Sequence, residues 1–221
     1  MISKPRHPTI VTGVLSFAAG ACAMAFFVLE QGPFVPPAPQ RAVGVQRVAV
    51  PSDPPPAPAP RGTAGEVADV AEELVDRNLA MPVEGVQRNA LVDSFHDDRS
   101  DGRKHEALDI LAPRNTAVLA VEDGVIAKLF TSAQGGLTIY QFDPSGEFVY
   151  YYAHLERYAE NLNEGDRVRR GQVIGYVGTS GNAPRNTPHL HFAIFKMTPE
   201  KHWREGTPID PFDILRQTGR R

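Results

Sequence analysis

Apolar residues fall along this chain in three different patterns. From Ile10 to Leu29 they dominate 20 residues that carry no charge, and at about 1.5 Å per residue a helix of that length spans a bilayer core of about 30 Å. Further on, Val67, Val70, Ala71, Leu74 and Val75 recur at helical spacing, which predicts a short amphipathic helix within residues 65–80. Beyond Pro82 the pattern shortens to β-type runs at Ala117–Val121, Gly124–Phe130, Leu137–Phe142, Phe148–His154, Gln172–Val177 and His189–Phe195. Asp123-Gly124, Gln134-Gly135-Gly136, Pro144-Ser145-Gly146 and Ser180-Gly181-Asn182 supply turns between them. Many short strands without a long helix predict an all-β, mainly antiparallel domain over residues 81–221. The helix at 65–80 is expected to pack on it as a lid or stalk.

Composition explains what lies between these patterns. Of the 20 prolines, 10 fall between Pro33 and Pro60. A stretch such as Pro54-Pro55-Pro56-Ala57-Pro58-Ala59-Pro60 cannot pack a core and favours an extended polyproline helix, so residues 31–64 read as a Pro-rich linker. A ligand for a proline-binding module is the other reading of that stretch. Lys4 and Arg6 precede the apolar segment, and the positive-inside rule then sends everything after Leu29 across the membrane. Residues 1–30 are accordingly expected to be a single-pass anchor in the inner (cytoplasmic) membrane, with the domain in the periplasm or outside the cell. A cleaved signal sequence competes with this, because Ala19, Ala21 and Ala23 offer small residues. Cleavage there would leave Met24 to Leu29 apolar on the mature end.

Charge and cysteine content narrow the chemistry. The net charge of −3 includes no Lys/Arg run of the kind that binds a phosphate backbone, so nucleic acid is not an expected partner. Cys22 is the only cysteine, which rules out an intramolecular disulfide and a cysteine-based metal site. Any metal falls to histidines and carboxylates. Two segments carry them, His105-Glu106-Ala107-Leu108-Asp109 and His189-Leu190-His191. On strands, residues two or four apart share a face, so these four groups can converge with His154, at the end of another predicted strand. Two imidazoles and one carboxylate suit a catalytic zinc that keeps a position for water. The first segment also looks like a helical HExxH motif, but Asp109 replaces the second histidine and Ile110-Leu111-Ala112-Pro113 does not continue a helix. Glu106 is then expected to be a solvated side chain. Strand alternation puts Tyr152 on the face of His154, as a candidate to line the groove, and turns Tyr151 the other way. His7, His96 and His202 have no partner pattern and are expected on the surface or in a tail.

In its motifs and their order, the stretch from about Val83 to Leu215 resembles the lysostaphin-like (LytM-type) zinc metallopeptidases, most of which cut the peptide part of peptidoglycan. The resemblance assigns His105, Asp109 and His191 as ligands of one zinc ion per chain, and His154 and His189 as the catalytic histidines. Supporting matches are Ala120 to Val125, Glu164 to Val168, Gly171 to Gly175, Gly178 to Gly181 and Pro208 to Pro211. Ala107 departs from a glycine usual in the family, and the loop Asn182 to Thr187 differs from its commoner form. Arg99 stands where the family often has an arginine, and either holds a substrate carboxylate or closes an internal ion pair.

The resemblance implies an endopeptidase acting on peptidoglycan stem peptides, with an envelope regulatory protein as a further candidate partner. Two other readings stand beside it. Some relatives have lost metal ligands and instead activate a peptidoglycan amidase; retention of all three ligands and both extra histidines argues against that here. Glu164 to Gly175 also resembles a turn of lipoyl-type carrier domains, but no lysine occupies the carrier position.

Overall fold

The computed structural model describes residues 64–99, 102 and 104–218. The anchor at 1–30 and nearly all of the linker at 31–64 lie outside the described residues. No helix among the described residues is long and apolar enough to cross a membrane.

The first element is helix α1, Ala64–Asp76, which starts one residue before the predicted span of 65–80 and ends four residues short of it. Val70 and Leu74 are buried, and Ala71 and Val75 pack beside them against the domain core. The chain leaves the helix through Asn78, which takes a left-handed conformation at φ 54°, a common way to end a helix. Leu79 and Val83 continue into the same core, so α1 is packed against the domain.

Nine strands follow: β1 Leu108–Leu111, β2 Ala117–Leu119, β3 Gly124–Ser132, β4 Gly136–Phe142, β5 Phe148–Tyr158, β6 Arg167–Val168, β7 Val173–Val177, β8 His189–Met197 and β9 Gly206–Ile209. All pair antiparallel in one sheet ordered β1-β8-β5-β4-β3-β6. Strand β7 bridges β2 and β5, and β9 joins β8. Six of these were legible as apolar runs. The other three are short or interrupted: β1 carries Asp109, β6 has two residues, and β9 contains Pro208. Helix α2, Pro211–Gln217, is not marked by the apolar pattern either, because seven residues give little periodicity. Its start is nonetheless well built, with the Asp210 carboxylate accepting from the Phe212 N–H at 2.8 Å and Pro211 in the first turn.

The sheet has two faces. On one, Phe148, Tyr150, Tyr152, Leu190, Phe192 and Ile194 are fully buried and join α1 and α2 in the core. The Tyr152 hydroxyl donates to Gln141 Oε1 at 2.9 Å and accepts from the Val121 N–H at 3.1 Å, so its polar end is satisfied inside. The opposite face carries the alternate residues of the same strands, and the candidate site is assembled there.

Candidate metal centre

The pairing of β1 with β8 sets the frame. Asp109 lies opposite His191 and Leu111 opposite His189. Cross-strand partners share a face, so one carboxylate and two imidazoles project to the same side. Tyr151 and Ala153 of β5, opposite Ala193 and His191, extend that face.

His105 reaches the site by a different route from the one expected. It stands before β1, in the turn that Glu106 bends with a left-handed φ of 53°. Backbone bonds from His105 N to Asp97 O and from Glu106 N to Phe95 O, both 2.9 Å, hold that turn in place. Glu106 is half-buried in it, not projected from a strand into solvent. Ser94 ties the two candidate ligands together. Its carbonyl accepts from His105 Nδ1 at 2.8 Å, and its hydroxyl accepts from the Asp109 N–H at 3.1 Å.

His154 required a second departure from regular alternation. Leu137 pairs with Leu155 and Ile139 with Tyr152, so β5 fits one extra residue against β4. This bulge is centred on His154, whose φ is 60°. The imidazole thereby moves from the core face to the site face, with its ring 4.9 Å from that of His189 and 5.5 Å from that of His191. The tyrosine expectation is corrected by the same feature. Tyr152, upstream of the bulge, lies in the core, while Tyr151 faces the site with its ring 5.9 Å from His191. Gly135 supports the bulge by accepting from the His154 N–H at 2.8 Å. A Cβ at position 135 would lie 2.3 Å from the Tyr151 hydroxyl and 2.8 Å from Thr138 Cγ2, so any larger residue there would displace Tyr151 from its place on the site face.

Three donor atoms converge. His105 Nε2, Asp109 Oδ1 and His191 Nδ1 stand 3.0 Å from one another on every side. The His105 ring has already committed its Nδ1 proton to Ser94, because a carbonyl can only accept. With both rings neutral, three acceptor atoms therefore share at most the single proton on His191 Nδ1. Such a set is poorly satisfied by itself and suits a cation. Two imidazole nitrogens and a carboxylate oxygen are donors that zinc takes. The residues present fit the metal.

The flanking histidines are oriented alike. His154 Nδ1 donates to Ser180 O at 2.9 Å and His189 Nδ1 to Thr187 O at 2.8 Å, leaving each Nε2 as an acceptor. His189 Nε2 lies 3.8 Å from Asp109 Oδ1. Burial, reinforced by His191 and His189, pushes His154 down to about 3, so it is a neutral base at physiological pH. Burial also lowers His191, against the pull of Asp109. At Asp109 burial acts to raise the carboxyl, but the proton shared between it and the His105 and His191 rings outweighs burial and keeps the group below the usual carboxylate range. Arg99 Nη2 lies 3.5 Å from the second Asp109 oxygen, an ion pair that matches one of its two expected roles.

All five predicted site residues thus come together, while His96 and His202 are exposed elsewhere. The Ser94, Ser180 and Thr187 carbonyls escaped sequence reasoning. Thr187 could have been flagged as the residue two before His189; nothing in the sequence marks Ser94.

A single antiparallel sheet that concentrates histidines and an aspartate on one face is the arrangement that the lysostaphin-like resemblance leads one to expect. Residues 103–211 match the profile "Peptidase family M23", so this part of the chain is a Peptidase M23 domain. It is 34% identical over 119 residues to the L-Ala–D-Glu endopeptidase of Bacillus subtilis, covering 52% of this chain and 35% of that protein. The peptidoglycan DD-endopeptidase ShyC of Vibrio cholerae is 33% identical over 90 residues, 41% of this chain and 20% of ShyC. Among solved structures, LytM of Ruminococcus gnavus superposes with a TM-score of 0.56 at 29% identity, covering 71% of this chain and 67% of that one. The chain spans between about a fifth and about a third of the length of the curated relatives it matches.

Proposed function

We propose that this protein is a zinc-dependent endopeptidase that hydrolyses peptide cross-links of bacterial peptidoglycan. The observation that carries the reading is the mutual 3.0 Å triangle of His105 Nε2, Asp109 Oδ1 and His191 Nδ1, flanked by two more histidines of fixed tautomer. His105, Asp109 and His191 would hold the metal, one per chain, which supplies Lewis-acid polarisation of the scissile carbonyl and a more acidic water.

The rest of the chemistry belongs to the protein. A water oxygen bonds to the carbonyl carbon while its proton passes to an imidazole Nε2. His189 is the better acceptor of the two candidates, since the resulting imidazolium lies 3.8 Å from Asp109 Oδ1. His154 is buried, and a charge there is opposed by His191 and His189, which suits it to orient the water through Nε2. The imidazolium then returns its proton to the leaving amine as the C–N bond breaks.

The names of the similar proteins support a cell-wall substrate, and the apolar segment at Ile10–Leu29 followed by the Pro-rich stretch suits a tethered enzyme acting outside the cytoplasm. The test is incubation of the purified full-length protein with isolated peptidoglycan sacculi, followed by mass spectrometry of released fragments. New amine termini within stem peptides or their cross-links are expected, and are lost on chelation. Intact peptides in sacculi treated with metal-loaded protein would overturn the reading in favour of a binding or regulatory role.

A further inference from the structure

The site face carries a second constellation beside the histidines. Starting at His191 on β8, the aromatic rings of Tyr151 on β5, Tyr140 on β4 and Phe130 on β3 occupy successive strands of the sheet. Tyr151 and Tyr140 are cross-strand partners with ring centroids 4.7 Å apart. Trp203, from the connection between β8 and β9, closes over the far end, 4.5 Å from Tyr140 and 5.7 Å from Phe130. Tyr140 is buried beneath it, while Tyr151, Phe130 and Trp203 each keep part of their surface open. Core packing does not account for this row, because the core lies on the other face of the same strands. Three strand spacings of about 4.8 Å carry the row roughly 14 Å from the candidate metal centre, the length of about four extended residues.

We propose that this row is a binding subsite for one arm of the peptide substrate, with Trp203 gripping an apolar side chain about three to four residues from the cleaved bond. The inference rests on the peptidase reading and adds a direction and a length requirement to it. A peptide is favoured over a sugar because the row begins at the histidines themselves, with Tyr151 edge-on to His191 at 5.9 Å. Whatever lies along it is therefore continuous with the group held at the metal centre. Aromatic walls supply large apolar contact at little cost in side-chain entropy, which suits holding the small aliphatic side chains of a short peptide.

Trp203 is the only tryptophan in the chain, so its emission reports on this subsite alone. In the full-length His154→Ala protein, titration with synthetic wall peptides of graded length should shift Trp203 emission once the arm exceeds about three residues. In otherwise native protein, Trp203→Ala should raise KM for the long peptides on the order of tenfold with little change in kcat, and the gap from the parent should close as the arm is shortened. Trp203→Phe, which keeps an aromatic contact with Tyr140, should restore most of the affinity. A KM penalty independent of peptide length, or no penalty at all, would overturn the inference. So would an equal emission shift with a peptide-free disaccharide, which would assign the row to sugar. Failure of the parent to hydrolyse any wall peptide would instead defeat the peptidase reading, and a length-dependent emission shift would still support the subsite.

Discussion

Two aspartates of this domain are held in opposite ways, and the contrast separates a site from a scaffold. Asp143 is buried at the turn after β4, where its carboxylate accepts from the Phe148 N–H at 2.9 Å, the Ser145 N–H at 3.1 Å, the Ser145 hydroxyl and Arg77 Nη1 at 2.7 Å. Every contact is a donor, and Arg77 extends the network to Glu73 and Glu122. Asp109 turns one oxygen to Arg99, 3.5 Å away, but its other oxygen faces two ring nitrogens, one of which has no proton to give when neutral. A satisfied network holds α1 against the sheet; a cluster of competing acceptors suits a cation.

Replacing each aspartate by asparagine tests this difference most severely. Asp109→Asn should cost the metal and on the order of 10³-fold or more in turnover, while the metal-free protein melts closer to the metal-free parent than Asp143→Asn does. Zinc should raise the melting temperature of the parent only, because a bound ion stabilises the folded state alone. Asp143→Asn should do the reverse, lowering stability while zinc content and turnover per folded molecule stay at parental values. Zinc retained by Asp109→Asn, measured by elemental analysis, would remove the basis of the comparison.

A smaller effect separates the residues within the site. His189→Ala and His154→Ala remove a base or a water-orienting group without removing a ligand, so both should keep zinc and lose roughly 10²-fold in kcat. Loss of zinc equal to that of His191→Ala would mean that these side chains belong to the ligand set.

His189 and His191 are legible in the sequence because they lie on a regular strand, where parity fixes the face, whereas Asp109, on a strand the apolar pattern does not mark, is reached through its four-residue spacing from His105. The positions of His105 and Tyr151 are not legible, because the Glu106 and His154 conformations break that parity and residue type does not announce them. Strand alternation set Tyr152 and His154 on one face; the bulge between them put one in the core and the other in the site. The α1 helix was legible from five apolar positions. Its clasp was not, since Arg77, Glu122 and Asp143 are far apart in sequence and each resembles an ordinary surface charge.

That clasp gives the mildest of the expected effects. Arg77→Ala leaves Asp143 without its guanidinium, and because Arg77 is itself partly exposed the cost should fall near the low end of the range for breaking a buried pair, about 3 kcal/mol. Turnover and zinc content should not change. The pH dependence follows from the sign of the carboxyl's shift. Burial acts to raise Asp143, but its hydrogen bonds with Ser145, Phe148 and Arg77 outweigh burial and hold it below its ordinary value. A carboxyl depressed in the folded state contributes stability that is complete above its unfolded pKa of about 3.9 and is lost as pH falls through its folded value. Removing Arg77 lifts that folded value toward the unfolded one, so the acid-unfolding midpoint should move to higher pH, read by circular dichroism between about pH 2 and 5. A stability loss of the same size at pH 7 and at acid pH would show that Arg77 acts through its contact with the Phe148 ring, 4.8 Å away, whereas a loss that shrinks as pH falls through the Asp143 titration is the outcome expected of the charge pair.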